Sequence, residues 1–206
     1  MRTSLRPVVL LLALLVALLA PRAAWATVWV RLAEGVTRCD ASEAARADAL
    51  PSLSFADPRT RETWQAMPER PRITPRFRTN PDGSTTATIQ VPPGAALYGT
   101  GMAAGPIERT GRRTVAWNTD AYNYTDKSES LYQSHPWVLV VRSNGTAFGA
   151  LADTTYRCAI DLTNGIRFRA EGPAFPVIVF DGDSPQQVLT RLTDFIGRID
   201  LPPRWT

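Results

Sequence analysis

Apolar and polar residues alternate with period two along most of this chain, and a single clear helical stripe comes near its end. Val28-Trp29-Val30-Arg31-Leu32 opens the alternation and predicts a strand, because successive strand side chains face opposite sides of a sheet. Residues 39–49 are rich in Ala, Ser, Arg and acids, which suits a short helix or an irregular surface segment. Residues 51–75 hold several prolines among sparse apolar residues. That density excludes a helix interior or a central strand and leaves loops with one or two short edge strands. Residues 76–79 and 85–91 flank Asn80-Pro81-Asp82-Gly83, a hairpin turn composition. Residues 113–117 predict a further strand, and residues 120–130 an exposed loop.

Trp137-Val138-Leu139-Val140-Val141 is a run without alternation, the pattern of a strand buried on both faces. Ser143-Asn144-Gly145 reads as a two-residue hairpin signal leading into a partner strand over 146–152. Thr163-Asn164-Gly165 joins strands over 156–162 and 166–170 in the same way, and residues 175–180 add one more. The convincing helix spans 185–196. Ser184 is placed to cap it, Pro185 to occupy its first position and Gln187 to complete a capping box. Val188, Leu189, Leu192, Phe195 and Ile196 form one stripe along it, and Gly197 ends it. Many strands, one late helix and repeated Asn-Gly turns predict an all-β fold, an antiparallel β-sandwich with one C-terminal amphipathic helix.

The chemistry concentrates between Leu97 and Leu162. Tyr98 precedes Gly99 and Gly101, which let backbone pass close to a neighbour or adopt positive φ. Trp117 is followed by Asn118, Thr119 and Asp120, residues that bond their own backbone and hold a tight loop. Tyr122 and Tyr124 frame that loop. An aspartate flanked by aromatic rings suits a sugar, since the carboxylate accepts hydroxyl hydrogen bonds while the rings cover apolar pyranose faces. The plainer reading is a capped turn with a buried Trp117 and surface tyrosines. His135, next to Pro136 at a strand start, reads as structural.

In order, Tyr98-Gly99-Thr100-Gly101, Trp117-Asn118-Thr119-Asp120, the segment Leu131 to Trp137, the segment Phe148 to Tyr156, the Ser184-Pro185-Gln186-Gln187-Val188 helix start and Leu201-Pro202-Pro203-Arg204-Trp205 resemble the N-terminal domain of glycoside hydrolase family 31, the α-glucosidase and α-xylosidase family. The resemblance covers residues 97–206 and is weak or absent over 27–96. It implies a galactose-mutarotase-like sandwich that packs on a C-terminal (β/α)₈ catalytic barrel, whose strands carry both catalytic aspartates. A barrel takes about 250 residues of its own, so no catalytic residue is expected in this chain. By position, the resemblance makes Asp120 the residue that bonds hydroxyls of a bound α-glycoside; the rings of Tyr122 and Tyr124 beside it are further candidate sugar contacts, although surface turns also carry tyrosine.

Composition narrows the rest. The 206 residues are 44% apolar and 20% charged, as in an ordinary globular domain. Arg2 and Arg6, the apolar run from Val8 to Ala20, and Ala24-Trp25-Ala26 have the layout of a secretory signal peptide over 1–26. The apolar run is short for a membrane span, and no later stretch is apolar enough for one. The expected organisation is a signal peptide over 1–26, a sandwich over 27–200 and the start of a barrel linker over 201–206. A secreted or periplasmic location follows from it. Removing 1–26 leaves 20 basic against 19 acidic residues, so the net charge of +4 falls to about +1. The arginines look scattered along the sequence, which argues against a nucleic-acid partner. One His and no Cys-x-x-Cys leave no donor set for a transition metal, and no cofactor is called for. Cys39 and Cys158 leave two alternatives, a disulfide or buried free thiols.

Two other functions fit less well. A free-standing, lectin-like sandwich leaves the Pro-Pro-Arg-Trp end without a partner. An aldose mutarotase needs a paired acid and base, usually imidazole with carboxylate, and a single histidine supplies too few groups.

Overall fold

The computed structural model describes residues 27–48 and 65–198. The expected signal peptide, most of the proline-rich segment and the expected linker over 201–206 lie outside them. Twelve strands form among the described residues, in two antiparallel sheets. They are β1 (Val28–Ala33), β2 (Val36–Asp40), β3 (Gln65–Ala66), β4 (Arg76–Thr79), β5 (Thr85–Ile89), β6 (Ala96–Gly99), β7 (Arg113–Ala116), β8 (Trp137–Val141), β9 (Ala147–Ala152), β10 (Cys158–Asp161), β11 (Ile166–Ala170) and β12 (Val177–Gly182). Helix α1 is Glu43–Asp48 and α2 is Pro185–Ile196. The seven-stranded sheet runs β3-β1-β2-β12-β9-β8-β6, and the five-stranded sheet β4-β5-β11-β10-β7. This is the expected β-sandwich.

Alternation decides which side chains meet between the sheets. Val138, Val140, Phe148, Ala150, Val177 and Val179 from the larger sheet share one core with Ile89, Ile160 and Phe168 from the smaller. Burying each large aliphatic or aromatic side chain there contributes about 1.5–3 kcal/mol. The opposite phase of the larger sheet is apolar as well, because α2 covers it. Val188 and Leu192 of α2 pack on Val36, Trp137, Leu151, Ile178 and Phe180. Phe180 meets Trp137 edge-to-face at 5.4 Å and Phe195 at 5.8 Å. β8 therefore has no polar phase, as its sequence predicts.

α2 has the expected bounds. Ser184 Oγ accepts from the Gln187 amide at 3.2 Å. The reciprocal half of the capping box is displaced by one residue, since Gln187 Oε1 accepts from Asp183 N–H at 2.8 Å. The stripe is only partly covered: Val188 and Leu192 are buried, whereas Leu189 and Ile196 are exposed.

Three further details depart from the sequence reading, and the state of the cysteines, left open there, is the fourth. Val36–Asp40 is a strand, so Cys39 and Asp40 belong to the sheet and not to the helical segment after it. Its polarity hides it: Arg38 and Asp40, two apart and on one face, form a buried ion pair with Nη2–Oδ1 at 2.9 Å. The turn at 143–145 is a three-residue loop, closed by Arg142 N–H to Thr146 O at 2.9 Å and Gly145 N–H to Arg142 O at 2.9 Å. The strands expected over 146–152 and 156–162 shorten to β9 and β10, while β11 keeps its expected bounds. Cys39 and Cys158 are both buried free thiols, and burial pushes each up to about 12.

Candidate functional site

The segment between β7 and β8 is long but tied down. Leu131 is buried and anchors it. Thr119 N–H donates to Leu131 O at 2.7 Å, and Thr119 Oγ1 reaches Trp117 O and Ser130 Oγ, both at 3.2 Å. Ser130 Oγ also donates to Trp117 O. Further along, Val115 N–H donates to Glu129 O at 2.8 Å, and Ser128 closes a turn on Thr125. Tyr132 crosses the loop and donates its hydroxyl to Ala121 O at 2.9 Å. Ala121 lies between Asp120 and Tyr122, so this bond fixes the peptide on which both candidates hang. Asp120 is exposed, and Tyr122 and Tyr124 are 87% and 58% exposed.

A second loop, residues 100–112, supports the first. Its start is Tyr98-Gly99-Thr100-Gly101, where the backbone runs against the chain entering β8. Gly99 and Gly101 have φ of 100° and 79°. A Cβ on Gly99 would lie 2.7 Å from Trp137 O, and one on Gly101 would lie 2.6 Å from His135 N. Thr100 N–H donates to Trp137 O at 2.7 Å and Met102 N–H to Gln133 O at 2.9 Å. The glycines are therefore present for close backbone approach. Arg109 is buried and holds the loop from inside, donating to Ala103 O and Ala104 O at 2.7 Å each. Burial, and then the charge of Arg112, lowers the affinity of its guanidinium for a proton.

A groove of about 690 Å³ opens at the end of the sandwich where β7 ends, β8 begins and β9 ends. Its lining includes Trp117, Asn118, His135, Trp137 and Tyr156, with Leu192 and Ile196 from the last turns of α2. Two expectations change here. Trp117 is 52% exposed and lines the groove rather than the core. It shares the outward phase of β7 with Arg113 and Val115, while Thr114 and Ala116 point inward. His135 contributes its carbonyl to structure, accepting from Trp137 N–H at 2.7 Å, but the residue is exposed and lines the groove. Asp120 and Tyr122 follow Asn118 on the loop that leaves the rim, and neither lines the groove. Sequence reasoning did not single out Tyr156 or Tyr132; Tyr156 sits beyond β9 with 45% of its surface open.

Aspartates elsewhere in the sandwich do local work. Asp161 accepts from Thr163 N–H at 3.0 Å and from its hydroxyl at 2.5 Å. Partial burial raises its pKa, but the Thr163 bonds and nearby Arg113 and Arg167 outweigh that and hold it below the usual carboxylate range. Asp181 faces Arg142 at 3.6 Å. No group of three His, Cys, Asp or Glu suited to a metal ion occurs among the described residues.

Known proteins resemble this arrangement. The chain is 41% identical over 113 residues to alpha-glucosidase 2 of Bacillus thermoamyloliquefaciens, a match covering 53% of this chain and 14% of that protein. It is 29% identical over 128 residues to an alpha-xylosidase of Emericella nidulans, covering 60% of this chain and 16% of that one. The chain thus matches only about a seventh of these relatives' lengths. Among solved structures, the Family 31 alpha-glucosidase of Bacteroides thetaiotaomicron superposes with a TM-score of 0.55 at 36% identity, over 62% of this chain and 22% of that chain. A GH31 dextranase of Flavobacterium johnsoniae, 18% identical, shares the fold over 85% of this chain and 26% of its own with a TM-score of 0.66. The family model for the glycosyl hydrolase 31 N-terminal galactose mutarotase-like domain matches residues 37–161, and the chain belongs to that family.

Proposed function

We propose that this sandwich is the non-catalytic N-terminal domain of an exported α-glucosidase-like enzyme, and that it contributes to binding an α-glycoside substrate. A downstream catalytic barrel docks on the open end of the sandwich. Asp120, with Tyr122 beside it, reaches from the pinned loop into the mouth of that barrel. The observation that carries this reading is the apolar groove itself. Trp117 and Ile196 line it with half or nearly half of their surface open to water, and the helix ending at Ile196 leads into Leu201-Pro202-Pro203-Arg204-Trp205. Exposed apolar side chains converging on one concavity mark a site that another surface covers.

The division of labour follows from the chemistry. Retaining glycoside hydrolysis needs a nucleophile and an acid/base carboxyl about 5–5.5 Å apart across the scissile bond. The family resemblance puts that pair on the barrel. The sandwich then supplies recognition: a carboxylate that accepts hydroxyl hydrogen bonds, oriented by the Tyr132–Ala121 bond, and a ring that covers an apolar sugar face. The purified 206-residue chain should release no p-nitrophenol from p-nitrophenyl α-glucoside, and sustained turnover would contradict the assignment. Calorimetry with maltose separates the runner-up, since measurable affinity without a barrel would favour a free-standing carbohydrate-binding protein.

A further inference from the structure

The arginines that look scattered in the sequence are gathered by strand pairing onto the solvent face of the five-stranded sheet. Arg76 and Arg78 alternate on β4, and Arg167 and Arg169 on β11, with Arg113 at the far edge on β7. Register aligns them in transverse rows. One row reads Arg76, Thr88, Arg167, Asp161, Arg113, and the next Arg78, Thr86, Arg169, Ala159, Val115. Sheet geometry spaces arginines on alternate strands by about 10 Å, and those on one strand by about 7 Å.

The carboxylates on this face are fewer than its arginines: Asp161 and Asp82 are already shared, and Glu129 borders the face beside Arg113, Arg167 and Arg169. Asp161 lies 3.1 Å from Arg113 Nε and 3.9 Å from Arg167 Nη1. Asp82 pairs with Arg169 at the hairpin end. Arg78 donates to the neutral Asn80 Oδ1 at 3.0 Å. Positive charge is therefore in excess, and it is carried by guanidinium groups, whose planar fork matches carboxylates in bidentate pairs. Exposed salt links of this kind contribute little to stability, so they are readily exchanged for an external anion.

We propose that this face binds an acidic polysaccharide, a chain of carboxylate-bearing sugars lying across the rows. A flat grid suits an extended polymer better than a small anion. Thr86 and Thr88, standing between arginines in both rows, offer hydroxyls to sugar hydroxyls. The rows present no aromatic ring on which a nucleobase would stack, and apart from Ala159 and Val115 no apolar side chain that would enter a lipid surface.

Polygalacturonate is the probe, measured by calorimetry on the full chain at low and at raised ionic strength. The expected results are binding that weakens as salt is added, no binding to neutral dextran, and a loss of about tenfold or more in affinity for Arg76→Gln/Arg78→Gln/Arg167→Gln. All three positions are exposed, so the variant should melt with the wild type. A control triple, Arg31→Gln/Arg70→Gln/Arg72→Gln, removes the same charge elsewhere and should retain the affinity. Absence of polygalacturonate binding, equal losses in the two triples, or tighter binding to single-stranded oligothymidine or to phosphatidylserine vesicles would each overturn the proposal.

Discussion

The indole of Trp137 occupies the space where Gly149 has no side chain: a Cβ on Gly149 would lie 1.8 Å from Trp137 Cη2. The two residues sit diagonally across β8 and β9, with Trp137 opposite Leu151 and Leu139 opposite Gly149. The ring laid over the glycine meets Phe180, and Phe180 meets Phe195 of α2. The same indole forms part of the groove wall. One missing methyl group thus lets the helix, the sheet and the groove share a single aromatic stack. Gly149→Ala should displace the indole and destabilise the fold by about 1–3 kcal/mol, the usual cost of overpacking. Chemical denaturation of the variant checks this, and an unchanged midpoint would show that the ring is free to move aside.

Thr100 carries a different kind of strain. It is the one non-glycine residue with positive φ among those described, at 69°, and it is 2% exposed with its hydroxyl unpaired. A left-handed conformation costs a side-chain-bearing residue about 1–2 kcal/mol, and an unsatisfied buried hydroxyl adds to that. Replacing it by glycine sacrifices one buried methyl and some chain entropy. On balance Thr100→Gly should raise stability by about 1 kcal/mol, seen as a higher melting temperature. A lower one would mean that the methyl packing outweighs the strain.

Alkaline conditions should weaken the fold through its cysteines. The unfolded thiols ionise near 9, whereas the buried ones do so only near about 12. Between those values the unfolded chain gives up protons that the folded chain holds. The stabilising contribution, complete below about pH 9, is therefore lost as pH climbs toward 12. Cys39→Ala should flatten the fall in melting temperature over that window. A parallel curve for wild type and variant would contradict this origin. In the native state at pH 8 neither thiol should react with an aromatic disulfide reagent, because the reactive thiolate is missing.

The exposed end of α2 separates folding from docking. Ile196 is 42% exposed, so Ile196→Asp should change the stability of the isolated sandwich by no more than about 0.5 kcal/mol. In a protein that carries the barrel, the same change places a charge in the docked groove and should lower the melting temperature of the whole. Equal behaviour in both settings would remove the groove from the interface.

How far the sequence discloses this molecule depends on where each signal is local. The hairpin at 80–83, the β8 run and the capped helix announce themselves, because turn chemistry, period and caps act within a few residues. β2 does not. Its Arg38–Asp40 pair satisfies itself while buried, which looks like surface polarity in one dimension. Trp117, which a capped turn would bury, instead follows the outward phase of β7 in step with Arg113. The arginine rows are invisible for another reason: Arg76 and Arg167 are far apart in sequence and meet only through the common neighbour Thr88. Asp120 stood out through its polar and aromatic neighbours, whereas the Tyr132 hydroxyl that fixes the peptide after it comes from eleven residues further on.

Asp120→Ala in the barrel-bearing enzyme tests the central claim most directly. Loss of a charge-assisted hydrogen bond to substrate is worth about 1.5–3 kcal/mol. The variant should therefore keep its fold and raise KM for an α-glucoside by about tenfold or more. A variant that folds normally and keeps the wild-type KM would contradict the account and leave the sandwich with a docking role alone.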